Sequence, residues 1–283
     1  MVKIVTDSTS DLPQEIVKEL DITIVPAYVI FNLKRYLDGV DITREEFYKR
    51  LAESSVPPST TAPSPKEFAL AYQEILKKDK EILVICLSAK LSRIYESAFQ
   101  ASLEVARPGY KIDVIDSSLA AMALGLLVIE AGTLAKAGAG LGKIKAKIKT
   151  SIKDIRLLAV LDTLEYAEKG GRLEKLSIKL AKKATSILNV KAVLNIKDGE
   201  ISFAGAVRPG KKTERILNFI SRGRNVEKIA LEYSSKKQEA EMIREKIIAS
   251  FPDIPIYLSS LSPGIGCHAG PGVIAVSIKE RTA

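Results

Sequence analysis

The chain has 283 residues, 43 Lys+Arg against 34 Asp+Glu for a net charge of +9, and 46% hydrophobic residues. That mixture excludes a mostly disordered chain, and the length fits two domains of ordinary size. Two cysteines and one histidine exclude a disulfide framework and a His-based zinc cluster.

Met1 leads straight into the strand-like run Lys3–Thr6. No signal peptide is therefore expected ahead of the fold, and the expected location is cytoplasmic. Lys, Glu and Ile are abundant while Asn and Gln are sparse, a composition like that of proteins from hot environments. Strands are expected at Ile22–Phe31, Ile82–Leu87 and Ile112–Ile115. Helices between them are expected at Leu12–Leu20, Thr43–Glu53, Pro65–Lys77, Ser92–Ala106 and Ser118–Ala137. Such alternation predicts a parallel sheet covered on both faces, with ligands beyond the carboxyl ends of its strands. Small polar residues fall at those ends: Asp7-Ser8-Thr9-Ser10-Asp11, Ser88 and Asp116-Ser117-Ser118. Ser10 or Asp11 is expected to cap the first helix, and Ser117 or Ser118 the fifth. Val56–Ser64 reads as a proline-pinned loop, with Ser64 and Glu67 forming a capping box and the Thr60 and Thr61 hydroxyls left over to bind something. Ser92 stands at a helix start, as a cap or an anion contact. The apolar run Leu119–Ala137 carries Glu130 near its centre, which points to a buried helix and not a membrane span.

Gly138-Ala139-Gly140-Leu141-Gly142 reads as a hinge, followed by a basic helix with Ile144, Ile148, Ile152 and Ile155 on one stripe. The domain boundary is placed near residue 150. Beyond it, strands are expected at Arg156–Asp162, Lys191–Ile196, Ile201–Val207, Lys228–Tyr233, Ile256–Ser259 and Gly272–Ile278. The turn Lys197-Asp198-Gly199-Glu200 marks a hairpin, so this six-stranded sheet is expected to be mixed. Helices are expected at Thr163–Gly170, Leu173–Leu188, Thr213–Arg222 and Lys236–Ser250. Gly205–Lys211 starts like a phosphate loop, but Lys212 stands where Ser or Thr must hold magnesium. His268 lies among glycines in Pro263–Gly272, where close backbone approach to a ligand is expected and the imidazole can serve as anion donor or acid/base group.

Together these segments resemble the DegV family. The resemblance runs the length of the chain. It rests on Asp7–Leu12, Thr60-Thr61-Ala62-Pro63-Ser64, Leu87–Ser92, Val114–Ser117, Glu168-Lys169-Gly170-Gly171-Arg172 and His268-Ala269-Gly270-Pro271-Gly272. It implies an α/β fold of two domains: a three-layer α/β/α domain with a parallel sheet over residues 1–150, and an α/β domain with a mixed six-stranded sheet over 151–283. A long-chain fatty acid would lie in a tunnel between them, with no other cofactor and no catalysis by this chain. Relatives present the bound acid to a separate ATP-using kinase subunit. The family's carboxylate-holding positions match Thr60 or Thr61, Ser92 and His268. Arg172 and Arg208 match basic positions near the tunnel mouth, and Gly270 lies in a ligand loop. Arg93 and Ile94 depart from the family's Gly and Thr or Ser, and Arg93 would add a cation near the carboxylate, crowd the site, or serve as a ligand-loop or docking contact. The alternative is an enzyme acting on a small carbonyl or acyl compound with His268 as nucleophile or base. The charge itself is local: residues 140–183 hold twelve Lys or Arg and five Asp or Glu. No basic motif interleaved with aromatics accompanies it, so nucleic acid is not the expected partner. The basic stretch reads as a solvated helix face or as a docking face for an acidic partner; transient contact with a membrane surface is compatible with either.

Overall fold

The computed structural model describes residues 1–171 and 190–281. The first sheet holds β1 (Val2–Asp7), β2 (Thr23–Val25), β6 (Glu81–Cys86) and β7 (Lys111–Asp116), all parallel in the order β2-β1-β6-β7. The chain winds from β1 to one side and returns on the other at β6. The crevice at that reversal lies beyond Asp7 and Cys86, the place where open parallel sheets take ligands.

Between them the chain builds a second, antiparallel layer: β3 (Tyr28–Phe31), β4 (Lys34–Leu37) and β5 (Ser59–Thr61), in the order β4-β3-β5. Two expectations are corrected here. The run Ile22–Phe31 is two strands, parted at Pro26, which has no N–H to give a ladder. The segment Val56–Ser64 is not all loop, because Val29 and Ile30 pair with Thr60 and Ser59.

The helices of this half are α1 (Gln14–Glu19), α2 (Arg44–Glu53), α3 (Pro65–Leu76), α4 (Ile94–Val105), α5 (Ala121–Lys136) and α6 (Leu141–Ser151). The capping box at Ser64 and Glu67 forms as expected. Neither Ser10 nor Asp11 caps α1, whose N-cap is Pro13 with no side-chain bond. Asp7 instead caps the short Ser8–Ser10 turn through Thr9 N–H. Ser117 bonds Leu119, so neither it nor Ser118 caps α5. A carboxylate from the other half does that work: Met122 N–H donates to Glu232 Oε1 at 2.9 Å.

Helix α5 is apolar on nearly every side because it lies between sheets. It touches β1 and β6 on one side and β8 (Ile155–Leu161), β11 (Val226–Tyr233) and β13 (Ile274–Glu280) on the other. At Gly125 the Ser10 carbonyl comes so close that a Cβ would sit 2.6 Å from it. Glu130, the central charge of α5, is paired with Lys279 at 2.6 Å and Lys147 at 3.7 Å. No described helix is long and apolar enough to cross a membrane. The expected hinge is a tight α5–α6 turn: Gly138 at φ +82° ends α5, and Gly142 already lies in the first turn of α6.

With β9 (Lys191–Lys197), β10 (Glu200–Val207) and β12 (Ile256–Ser260), the second sheet runs β10-β9-β8-β13-β11-β12. Only β11 and β12 pair in parallel, so the sheet is mixed. Period-two alternation splits β8 between two tasks. Leu158 and Val160 join a core under α8 (Lys212–Ser221) and α9 (Lys237–Ser250), while Leu157, Ala159 and Leu161 face the first half. The phosphate-loop look-alike ends in the antiparallel strand β10 and a 3₁₀ turn, and Lys212 is buried on Glu239 at 3.0 Å. The remaining helices are α7 (Glu165–Lys169) and α10 (Pro263–Ala269). The expected helix Leu173–Leu188 lies outside the described residues.

Candidate functional site

The glycine-rich segment around His268 is a helix and not a loop. Ser262 caps α10, Pro263 occupies its first turn, and His268 stands in its last. Most of its glycines serve packing. A Cβ on Gly266 would lie 2.5 Å from the Phe47 ring, and one on Gly270 would lie 2.5 Å from Tyr166. Gly270 closes the helix at φ +77°, a conformation that favours glycine. Gly264 is the one among them that faces the cavity described next.

Helix α10 packs on β3, β5 and α2, which carries His268 to β5. There His268 Nε2 is 2.9 Å from Thr60 Oγ1. The other side of the ring is bounded by Gly170, where a Cβ would be only 2.3 Å from Nδ1. The imidazole thus rests between a hydroxyl and a bare backbone.

This pair opens on a concave, mostly apolar cavity connected to solvent, the kind of enclosure that takes small molecules. Leu87, Leu91, Ile94, Ala120 and Ala121 line it from the first half. Leu157, Ala159, Leu161, Leu194, Ile196 and Ala275 line it from the second sheet. Ala159 and Ala275 are directly paired on adjacent strands, so the wall is shallow there. The hydroxyls in the lining belong to Thr9, Thr60, Thr61 and Ser92. The structure therefore brings Thr60, Thr61, Ser92 and His268 to one cavity. Ser92 Oγ also accepts from Ile94 N–H at 3.4 Å, a loose turn contact that does not use its O–H as a donor.

The other singled-out residues lie elsewhere. The Arg93 side chain is 85% exposed and pairs with Glu96 at 3.0 Å, so it adds no cation to the cavity. Arg208 is exposed ahead of a 3₁₀ turn and is not part of the lining. Gly270 packs on Tyr166, outside the lining. Arg172 lies outside the described residues.

Sequence reasoning missed the supports behind the site. Asp38 accepts from Ser8 Oγ at 2.9 Å and from Gly264 N–H at 3.0 Å, fixing the start of α10. Burial pushes its carboxyl up to about 7. Burial also raises both thiols, so neither Cys86 nor Cys267 is a ready thiolate nucleophile. Among the described residues no cluster of His, Cys, Asp or Glu is placed to hold a metal ion. Chemically, the arrangement offers hydroxyl and imidazole donors to an anion in an enclosure whose lining is otherwise apolar save for Asn195.

A model of the DegV family of uncharacterised proteins matches residues 1–281. A DegV domain-containing protein of Caldanaerobacter subterraneus is 34% identical over 284 residues, covering 99% of each chain. Among solved structures, a DegV family protein of Thermus thermophilus, described for its fatty acid binding, superposes with a TM-score of 0.89 at 30% identity, covering 99% of each chain. A stearic acid-binding protein of Eubacterium ventriosum gives a TM-score of 0.89 at 27% identity and the same coverage.

Proposed function

The chain belongs to the DegV family, and on that footing we propose that it binds a long-chain fatty acid in the cavity between its two halves, residues 1–150 and 151–283. The observation that carries this reading is the Thr60–His268 pair set in an aliphatic wall. The carboxylate is held by Thr60, Thr61, Ser92 and His268, each charge-assisted bond contributing about 1.5–3 kcal/mol. The acyl chain lies along Leu157, Ala159, Leu161, Leu194 and Ile196 and gains about 0.8 kcal/mol per buried methylene. No step of this reading requires bond making by the chain itself. The bound acid is then presented to a separate ATP-using kinase subunit; the family resemblance and the basic stretch 140–183, suited to an acidic partner face, support that part.

The same Thr60–His268 contact also suits a second reading, in which His268 is nucleophile or base toward a small acyl or carbonyl compound. Mass spectrometry of protein denatured after purification separates the two. Release of C14–C18 acids, and their reloading onto delipidated protein, is expected. No lipid released or reloaded, together with acyl ester turnover lost in His268→Ala, would establish the second reading instead.

A further inference from the structure

Beside the cavity, two carboxyl groups are buried against each other at the foot of α5. Asp11 follows the Ser8–Ser10 turn and Glu232 lies on β11; both are fully buried. Each carboxyl uses one oxygen to accept a backbone N–H: Ser262 N–H donates to Asp11 Oδ1 and Met122 N–H to Glu232 Oε1, both at 2.9 Å. Glu232 is paired across the sheet with Ser259, whose Oγ donates to the Asp11 carbonyl, and this brings the two carboxyls close enough to act on each other. Asp11 Oδ2 and Glu232 Oε2 meet no N–H or hydroxyl donor. Two carboxylates have no donor to offer one another, so satisfying these two oxygens on each other requires a proton on one of the pair. Without it, two bare charges would face each other away from water.

The groups around the pair agree with one held proton. Arg44 and Tyr48 face it from α2 and Asp38 from the loop after β4, with Cys267 of α10 behind Tyr48 and Asp38. The foot of α5 brings backbone N–H, and β12 brings Ser259 and Ser260. Burial holds Tyr48 and Cys267 neutral. Arg44 bonds Ser259 Oγ at 2.9 Å and the Ser260 carbonyl at 2.5 Å and supplies the nearby positive charge. One charge left on the pair is balanced by Arg44; a second would not be. Burial raises the whole acid cluster, Asp11 to about 6 and Glu232 well above the carboxylate range.

What the pair ties together is cavity wall. Met122 follows Ala120 and Ala121, Ser262 follows Leu261 and precedes Gly264, and Asp11 comes two residues after Thr9; those five neighbours all line the cavity. Resting on the carrier reading for its cargo, we propose that Asp11 and Glu232 form a proton-binding latch on the acyl cavity. With its shared proton the pair ties the starts of α5 and α10 to the first turn of the chain. When the proton leaves to solvent, the walls part and the acid is released.

The test loads delipidated protein with palmitic acid and follows its transfer to phosphatidylcholine vesicles. Release from the wild type should quicken roughly tenfold or more between about pH 6 and pH 9, the change that one unit of linked pKa shift supplies. Glu232→Gln, whose amide can donate to Asp11 at every pH, should flatten that dependence to about twofold. His268 and the ligand head group are untouched in that variant, so an unchanged pH dependence overturns the latch. A second readout needs neither ligand nor variant: amide exchange at Met122 and Ser262 in ligand-free protein, corrected for intrinsic base catalysis. Exchange should accelerate across the same range, and protection indifferent to pH overturns the latch even if Glu232→Gln fails to fold. If the protein takes up no palmitic acid, the carrier reading falls, while the exchange profile still decides the latch.

Discussion

Gly170→Ala separates the placement of His268 from the stability of the fold. Gly170 has an ordinary negative φ of −77°, so alanine costs nothing in the backbone there. Its methyl would nevertheless fall 2.3 Å from His268 Nδ1 and 3.0 Å from Cε1. Ordinary contact needs about an ångström more, and the group that yields is the far end of a side chain. The ring is thereby displaced from Thr60, now at 2.9 Å, an ordinary bond length that a shift of several tenths of an ångström would break. Loss of one charge-assisted hydrogen bond to a carboxylate costs about 1.5–3 kcal/mol, or roughly a ten- to hundredfold weaker Kd. Titration of delipidated protein with a C16 acid measures that Kd, and thermal melting of the ligand-free protein reports stability. Affinity should fall while Tm stays within a degree or two, about the effect of a few tenths of a kcal/mol. Gly142→Ala, where a Cβ meets open space in the first turn of α6, is the matched control and should leave Kd unchanged, with Tm unchanged or slightly raised by helix propensity. An unchanged Kd in Gly170→Ala, or a fall in Tm that accounts for the weaker binding, would refute the placement.

Other expectations follow from the same geometry. Ala159→Leu, opposite Ala275 on the cavity wall, should shift preference toward shorter acids by roughly tenfold in relative affinity, read from Kd against chain length; an unaltered profile would remove the acyl chain from that wall. Glu130→Ala should cost about 3 kcal/mol in urea unfolding, the low end for a broken buried pair, since Lys279 keeps Glu227 at 3.4 Å. Stability should be higher at pH 5 than at pH 8 and fall across that range. Asp11 and Asp38, raised to about 6 and about 7, hold protons in the native state that the unfolded chain has already lost above about pH 4, so stability falls as pH rises through those values. Carboxyls held low, such as Asp162 and Glu67, withdraw stability only in acid, as pH drops through their depressed values. A melting temperature that climbs steadily from pH 5 to pH 8 would contradict that ordering.

Alternation along β1, β6, β7 and the six strands from Ile155 onward was readable because both sheets bury one or two full faces, and burial leaves a period in the sequence. The hydroxyl corners were readable for the same reason: they fall where apolar runs stop. Strand β5 was not, since three residues between prolines have no period of their own and form a strand only because β3 pairs with them. Helix α10 was hidden by glycines with poor helix propensity, although Ser262 and Pro263 carried a usable start signal. The role of Asp11 was out of reach from local chemistry. A lone Asp before a helix reads as a cap, and its actual donor, Ser262 N–H, lies 251 residues away. Cavities leave still less trace, because an acyl wall asks only for aliphatic side chains, which every core also supplies.

The position of a bound acid's head group is the most direct test of fatty-acid binding at this cavity. A crystal structure of the protein loaded with a C16 acid should place its carboxylate within hydrogen-bonding distance of His268 Nε2, with Thr60, Thr61 and Ser92 hydroxyls around it and the chain running past Ala159 and Ala275. A chain in the reverse direction, or an acid bound away from His268, would contradict it.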